Sequence, residues 1–346
     1  MPVNYPYANI TIIMPQRRKK NIFFSLVTAI LTASFSLHAA SPAVVTEGST
    51  FTHRFVTEEK LRAQVEFLSD SICGGRATGT TGASEAASWV ARHFRDMGMQ
   101  VQVKSYHARG GVPGRNVIGF VGGSSQDSYV IIAAHYDGLG RLNGKLYPGA
   151  DSDCSGVAAL LGLGEMIHRS VKIGKVYRRN MLLVALDGKY NGMSGSAALW
   201  EDLSKGAILN PATGSPITPD KVTLMVNLDQ MGSCMSPLHK DSPNYLIMLS
   251  GQGSDYLRAS LRSANSQYRL GLDLGMDYYG SKEFTRVFYE KVSDQKPFVE
   301  HGRRAVMFTS GITMNNNKVH DSPQTLDYTL LKKRIWLIFH WLERVI

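Results

Sequence analysis

The chain has 346 residues, 43% of them apolar, and a formal charge of +10, which is enough apolar material for one large domain or two small ones. The basic residues are scattered in pairs and triplets such as Arg178-Arg179, Arg303-Arg304 and Lys332-Lys333-Arg334, without the basic patch and interleaved aromatics of a nucleic-acid groove. Three cysteines, Cys73, Cys154 and Cys234, are too few and too odd in number for a disulfide framework.

The first 40 residues read as a secretory signal. Arg17-Arg18-Lys19-Lys20 is a basic start, Ile22 to Phe35 is a short apolar run, and His38-Ala39-Ala40-Ser41 offers small residues for cleavage after Ala40. Translation from Met14 would leave the same signal. A membrane anchor needs about 20 apolar residues, more than this run holds. The expectation is an exported protein, periplasmic or secreted, with a mature charge of about +6. Residues 41–57 read as a polar extension and 58–346 as one domain.

Glu58 to Leu68 has helical spacing, with Leu61, Val65 and Leu68 on one face. Gly74 to Gly82 is a Gly/Thr-rich turn region, and Ser84 to Met97 is a second amphipathic helix. Then strands and helices alternate. Tyr129–Ala134, Met181–Leu186, Val222–Leu228, Tyr245–Leu249 and Ala305–Thr309 read as strands. Ser155–Ile167, Gly195–Leu203, Ser254–Ala264 and Leu331–Ile346 read as helices, and Lys205–Asp220 as an irregular loop. Continuous apolar strands between helices predict a three-layer α/β/α sandwich around a mostly parallel, mixed sheet.

Ligands of open α/β sheets bind where strands end. After the first of these strands comes His135-Tyr136-Asp137, and then Pro148-Gly149-Ala150-Asp151-Ser152-Asp153-Cys154-Ser155-Gly156 opens a helix. Asp187-Gly188-Lys189-Tyr190 follows the second strand, Asp229 the third, and His320-Asp321-Ser322-Pro323 comes after the last. Histidines and aspartates gathered on one sheet edge suit zinc. For Asp151 and Asp153 the plainer reading is capping of the helix start. Cys154 is conceivable as a thiol nucleophile, but packing beside the helix is the simpler role. Asp277-Tyr278-Tyr279 and Phe284 offer aromatics that fit a pocket or ordinary packing.

In this order, and with Gly75 to Thr80, Gly114 to Gly119, Ser293-Asp294 and Phe298, these motifs resemble metallopeptidase family twenty-eight. This family holds the two-zinc aminopeptidases and, as relatives, the glutaminyl cyclases. The resemblance covers about residue 60 to the end. It implies two zincs sharing an aspartate and a water, with a glutamate that takes the water's proton. It assigns His135 and Asp229 to the first zinc, His320 to the second, and Asp137 to orienting the His135 ring.

The glutamate pair that the resemblance implies after Asp187-Gly188 is replaced by Lys189 and Tyr190, while Asn191 to Ser196 keeps the motif in register. Lys189 thus stands at the general-base position, and Tyr190 at a ligand position of the second zinc. The shared-aspartate position, four before Gly156, is Ser152, flanked by Asp151 and Asp153 as candidates. The expectation is at most one zinc, or none, with the Lys189 ammonium offsetting the clustered carboxylates. Three readings of function follow: a catalytically impaired member that binds peptides or partners, a mono-zinc aminopeptidase, and a cyclase-type acyltransferase.

Overall fold

The structure is a computed structural model that describes residues 51–234, 242–278 and 280–346. The signal, the first part of the extension and Tyr279 lie outside the described residues. Among those described, no helix is long and apolar enough to cross a membrane.

After a helical stretch at residues 51–53, the described chain forms two helices, α1 (Glu58–Ser69) and α2 (Thr81–Asp96). Each is capped by a threonine whose side-chain oxygen accepts a backbone N–H of the first turn, Thr57 from Lys60 and Thr80 from Ala83. The Thr80 cap starts α2 three residues earlier than its apolar spacing suggests.

Strands β1 (Gln100–His107) and β2 (Pro113–Val121) form an antiparallel pair that the sequence reading leaves unassigned. The reason is visible in β1. It is an edge strand with no fully buried residue, so it lacks the apolar run of a central strand. The chain continues through β3 (Tyr129–His135), the short hairpin β4 (Gly140–Leu142) and β5 (Lys145–Tyr147), and α3 (Ser155–Lys172). Then come β6 (Asn180–Leu186), α4 (Ser194–Ser204), β7 (Val222–Leu228), β8 (Tyr245–Ser250), α5 (Asp255–Gln267) and β9 (Asp273–Gly275). Two short helices, α6 (Lys282–Val287) and α7 (Lys296–Glu300), precede β10 (Ala305–Thr309) and the closing helix α8 (Tyr328–Val345).

The main sheet has the order β1-β2-β6-β3-β7-β10-β8-β9. The four central strands β6, β3, β7 and β10 are parallel neighbours, while β1, β2 and β8 add antiparallel pairings on the flanks. Alternate residues of one strand serve opposite layers. In β3, Val130, Ile132 and Ala134 pack toward α1, α2, α3 and α8, while Tyr129, Ile131 and Ala133 pack toward α4 and Phe298. Both faces are covered, so an apolar residue is needed at every position, and the strand reads as a continuous run.

Because the central strands are parallel, their carboxyl ends share one edge. His135 ends β3, Asp187 follows β6, Asp229 follows β7 and Ser310 follows β10.

Candidate metal centre

His135, Asp153 and Asp229 are buried, and one ligand atom from each lies within 4.8 Å of the others. His135 Nε2 is 3.9 Å from Asp153 Oδ2 and 3.8 Å from Asp229 Oδ1. The other ring nitrogen, Nδ1, faces two acceptors of Asp137, the backbone carbonyl at 3.1 Å and Oδ1 at 3.3 Å. A proton on Nδ1 satisfies both and turns Nε2 toward the two aspartates.

The turn before α3 decides between the two candidate aspartates. Ser152 and Asp153 leave helical geometry, with φ/ψ of −116°/78° and −138°/43°. The chain therefore changes direction between Asp151 and Asp153. Asp153 Oδ1 accepts the backbone N–H of Gly156 at 3.0 Å and of Gln230 at 2.9 Å. Its Oδ2 is buried with no hydrogen-bond partner among the described residues. Position 156 must be glycine because a Cβ there would collide with this carboxylate. Asp151 points elsewhere. It accepts hydrogen bonds from the Gly232 N–H at 2.8 Å, the Ser155 hydroxyl at 2.9 Å and the Ser233 hydroxyl. Its carboxylate fastens the loop after β7, so as a ligand candidate Asp151 is corrected to a structural residue.

His320 also falls outside the cluster. It is exposed, and its neighbour Asp321 takes the inward place. The Asp321 carboxylate accepts the backbone N–H groups of Asp151 at 2.7 Å and Ser152 at 3.1 Å. Burial, then the charge of Asp151, push Asp321 up to about 7.

Lys189 enters the cluster from the loop after β6. That loop is held by Asp137, whose Oδ1 accepts the Lys189 N–H at 3.0 Å and whose Oδ2 accepts the Tyr190 N–H at 3.0 Å. Asp137 therefore fixes both the imidazole and the residues beside it. The Lys189 ammonium donates to Asp229 Oδ2 at 2.5 Å and to Ser293 Oγ at 2.9 Å, and lies 3.7 Å from Asp294 Oδ2. Burial works against this charge, but Asp229 and then Asp294 outweigh it and hold the ammonium well above its ordinary range. Burial would raise the Asp229 carboxyl, yet Lys189 and the contact with His135 hold it well below the usual carboxylate range. Asp153 and Asp294 both go up, chiefly because they are buried. His135 is raised to about 10: burial opposes its charge, while Asp153, the Asp137 contact and Asp229 favour it.

Three features fit a cation here: a buried cage of one nitrogen and two carboxylates, the partnerless Asp153 Oδ2, and a His135 nitrogen facing both acids. Lys189 takes one oxygen of Asp229 and leaves the other toward His135. A metal at this cage has to displace the proton that the acids hold on the imidazole.

Beside the cage the contacts are neutral. The Ser152 hydroxyl lies 2.7 Å from the Tyr190 hydroxyl, which donates to Asn317 Oδ1 at 2.7 Å. Gln230 Nε2 reaches Asn316 Oδ1 at 3.1 Å. The Tyr190 ring stands edge-on to His135, with centroids 5.9 Å apart. Cys154 is fully buried, and burial raises its thiol to about 12, which fits packing rather than attack.

Two buried arginines that the sequence reading passes over hold this edge together. Arg76 donates to the carbonyls of Tyr136 at 2.7 Å, Leu68 at 2.6 Å, Pro148 at 2.8 Å and Gly149 at 3.0 Å. Arg334 donates to the carbonyls of Tyr245 at 2.8 Å, Met231 at 2.8 Å and Ser233 at 3.0 Å. A signal for Arg334 exists in the sequence, since it sits on the apolar stripe of α8 between Leu331, Ile335 and Ile338. Ser293 shows only as part of the Ser293-Asp294 match, with nothing local to indicate its contact with Lys189.

Comparison with known proteins agrees with this frame. An uncharacterized protein of Escherichia coli, YfbL, is 30% identical over 123 residues, which is 35% of this chain and 38% of that protein. The glutaminyl-peptide cyclotransferase of Drosophila melanogaster is 26% identical over 124 residues, 35% of this chain and 34% of that one. Each match thus spans little more than a third of the relative's length. Among solved structures, the LapA aminopeptidase of Legionella pneumophila superposes with a TM-score of 0.67 at 14% identity, covering 86% of this chain and 74% of that chain. BSAP, a zinc aminopeptidase from Bacillus subtilis, gives 0.65 at 14% identity, covering 84% and 95%. The glutaminyl cyclase of Fimbriiglobus ruber gives 0.65 at 18% identity, covering 83% and 95%. At these identities the likeness carries the fold. The family model of peptidase family M28 matches residues 116–342, about two thirds of the sequence, and the chain belongs to that family.

Proposed function

We propose that this chain is an exported member of the family that binds peptides or a protein partner in the inherited cleft and hydrolyses them slowly or not at all. The observation that carries the reading is Lys189. Its ammonium stands 2.5 Å from Asp229, on the loop where the resemblance implies a pair of glutamates. A cation there cannot accept a proton from water, and it answers the charge of Asp229 and Asp294 without a metal. Losing a general base costs about 100- to 10,000-fold in rate.

His135, Asp153 and Asp229 would hold one zinc, which when bound supplies Lewis acidity. Asp137 would keep the His135 ring aimed, and Tyr190 with Ser152 would offer hydroxyls to a bound peptide. A second cation would meet Ser152, Tyr190 and an exposed His320 in place of a full ligand set, so at most one zinc is expected. The alternative is a mono-zinc aminopeptidase, favoured by the partnerless Asp153 Oδ2.

Elemental analysis and an aminoacyl-anilide panel test the reading. The expected outcome is less than one zinc per chain and turnover no faster than a Lys189→Ala control. The Lys189→Glu, Tyr190→Glu double variant should gain zinc and chelator-sensitive turnover. Stoichiometric zinc with robust chelator-sensitive release by the unaltered chain would sink it.

A further inference from the structure

The edge of the sheet opposite the candidate metal centre is where the central strands begin, at Asn180, Tyr129, Val222 and Ala305. The connection from α3 into β6 lies on this edge. From Val171 to Val176 every residue is exposed, and three of the six are aliphatic: Val171 at 42%, Ile173 at 55% and Val176 at 75%. Side chains of this kind so far in water belong to an interaction surface when they are grouped.

The charges between and beside them are basic. Lys172 and Lys175 alternate with the aliphatic residues, Arg178 follows, and Arg304 precedes β10 on the same edge. Arg304 lies over the ring of Tyr256, 5.3 Å from its centroid, and Tyr256 is 51% exposed. Most acids on this side are matched: Glu343 pairs with Lys175, Asp127 with Lys221 at 2.7 Å and Asp255 with Arg258 at 3.4 Å, while Asp220 before β7 forms no ion pair among the described residues. Among the described residues Lys172, Arg178 and Arg304 form no ion pair.

We propose that this edge is a docking surface for an anionic lipid membrane, with Ile173 and Val176 entering the headgroup boundary while Lys172, Arg178 and Arg304 meet lipid phosphates. A nucleic acid or an acidic protein would use the cations, but neither gains much from a small group of aliphatic side chains raised on a loop. A bilayer interface takes both, and a half-exposed tyrosine under an arginine suits its polar depth. Docked this way, the protein holds the His135–Asp153–Asp229 edge away from the lipid.

Co-sedimentation of the full chain with vesicles tests the proposal. One set is phosphatidylcholine alone, and the other mixes phosphatidylcholine with phosphatidylglycerol. Binding is expected to the mixed vesicles, weaker in high salt. Arg178→Gln and Lys172→Gln should each lower partitioning about fivefold, and Val176→Ser by a similar factor. All three positions are exposed, so unchanged circular dichroism is expected. Three results would overturn the proposal: no binding to mixed vesicles in low salt; equal binding to both vesicle sets unmoved by the substitutions, which would put the affinity elsewhere in the chain, such as the apolar run 22–35; or loss with the charge variants but not with Val176→Ser, alongside equal binding to soluble polyglutamate, which would make the partner an acidic polymer.

Discussion

At position 189 one side chain sets the electrostatics of the whole edge. Lys189 joins Asp229, Ser293 and Asp294, and each of those acids is buried. Removing one partner of a buried pair leaves an uncompensated charge, which costs about 3–5 kcal/mol. Lys189→Met should therefore lower unfolding free energy by about 3 kcal/mol in denaturant titrations with chelator present. Added zinc should restore part of that loss in the variant and little in the unaltered chain, because only the variant leaves the Asp229 and Asp294 carboxylates without the ammonium. Equal zinc effects on both proteins would contradict the view of the lysine as a cation substitute. The sequence already displays this substitution, since the residues on either side keep the motif in register. It displays Ser293 only as part of the Ser293-Asp294 match and not its contact, because Ser293 lies 104 residues away and meets Lys189 only when the loop after β6 and the segment before β10 converge.

Loops and helices are held in place by polar contacts that hydrophobic patterning does not register. Arg334, inside α8, satisfies three carbonyls from β8 and the loop after β7. Arg334→Met keeps the volume and abandons those acceptors, so it should cost about 2–4 kcal/mol by thermal or denaturant unfolding. A loss under 1 kcal/mol would mean water replaces the guanidinium. The segment before α1 is fixed differently. His53 stacks on Trp336, with centroids 4.3 Å apart, and its Nε2 lies 2.7 Å from Nε2 of the buried His340, whose Nδ1 meets Glu343 at 2.8 Å. Burial first, then the charge of His340, lower the His53 imidazole from its ordinary 6.5 to about 4. Between these values the unfolded chain binds more protons than the folded one. Stability from this contact is thus complete above about pH 6.5 and is lost as pH falls toward about 4. With His53 only partly buried, solvent screening reduces the loss to about 1 kcal/mol. His53→Gln should flatten that part of the stability–pH curve; an unchanged curve would show that the pair contributes nothing there.

For the molecule as a whole, stability rests on two apolar layers, one on each face of the sheet, and neither includes the metal-ligand candidates. Chelator should accordingly leave the calorimetric unfolding transition of the unaltered chain within about 2 °C, which in a domain this size corresponds to about 1 kcal/mol. A fall of many degrees would give a metal a structural role that this packing does not require.

The order of the central strands and main helices, the three-layer class, the strand-end motifs and the Lys189-Tyr190 pair where the resemblance implies glutamates are all legible in the sequence. Each depends on local periodicity or on spacing along the chain, and both survive without coordinates. The choice of Asp153 over Asp151, the outward turn of His320, the β1–β2 pair at the sheet edge and the buried arginines belong to the tertiary structure. They turn on the direction of a side chain in an irregular turn, or on which strand a half-exposed segment finds. Those outcomes are set by contacts between residues far apart in sequence: Asp151 follows Ser233, and Asp321 follows the backbone of Asp151 and Ser152.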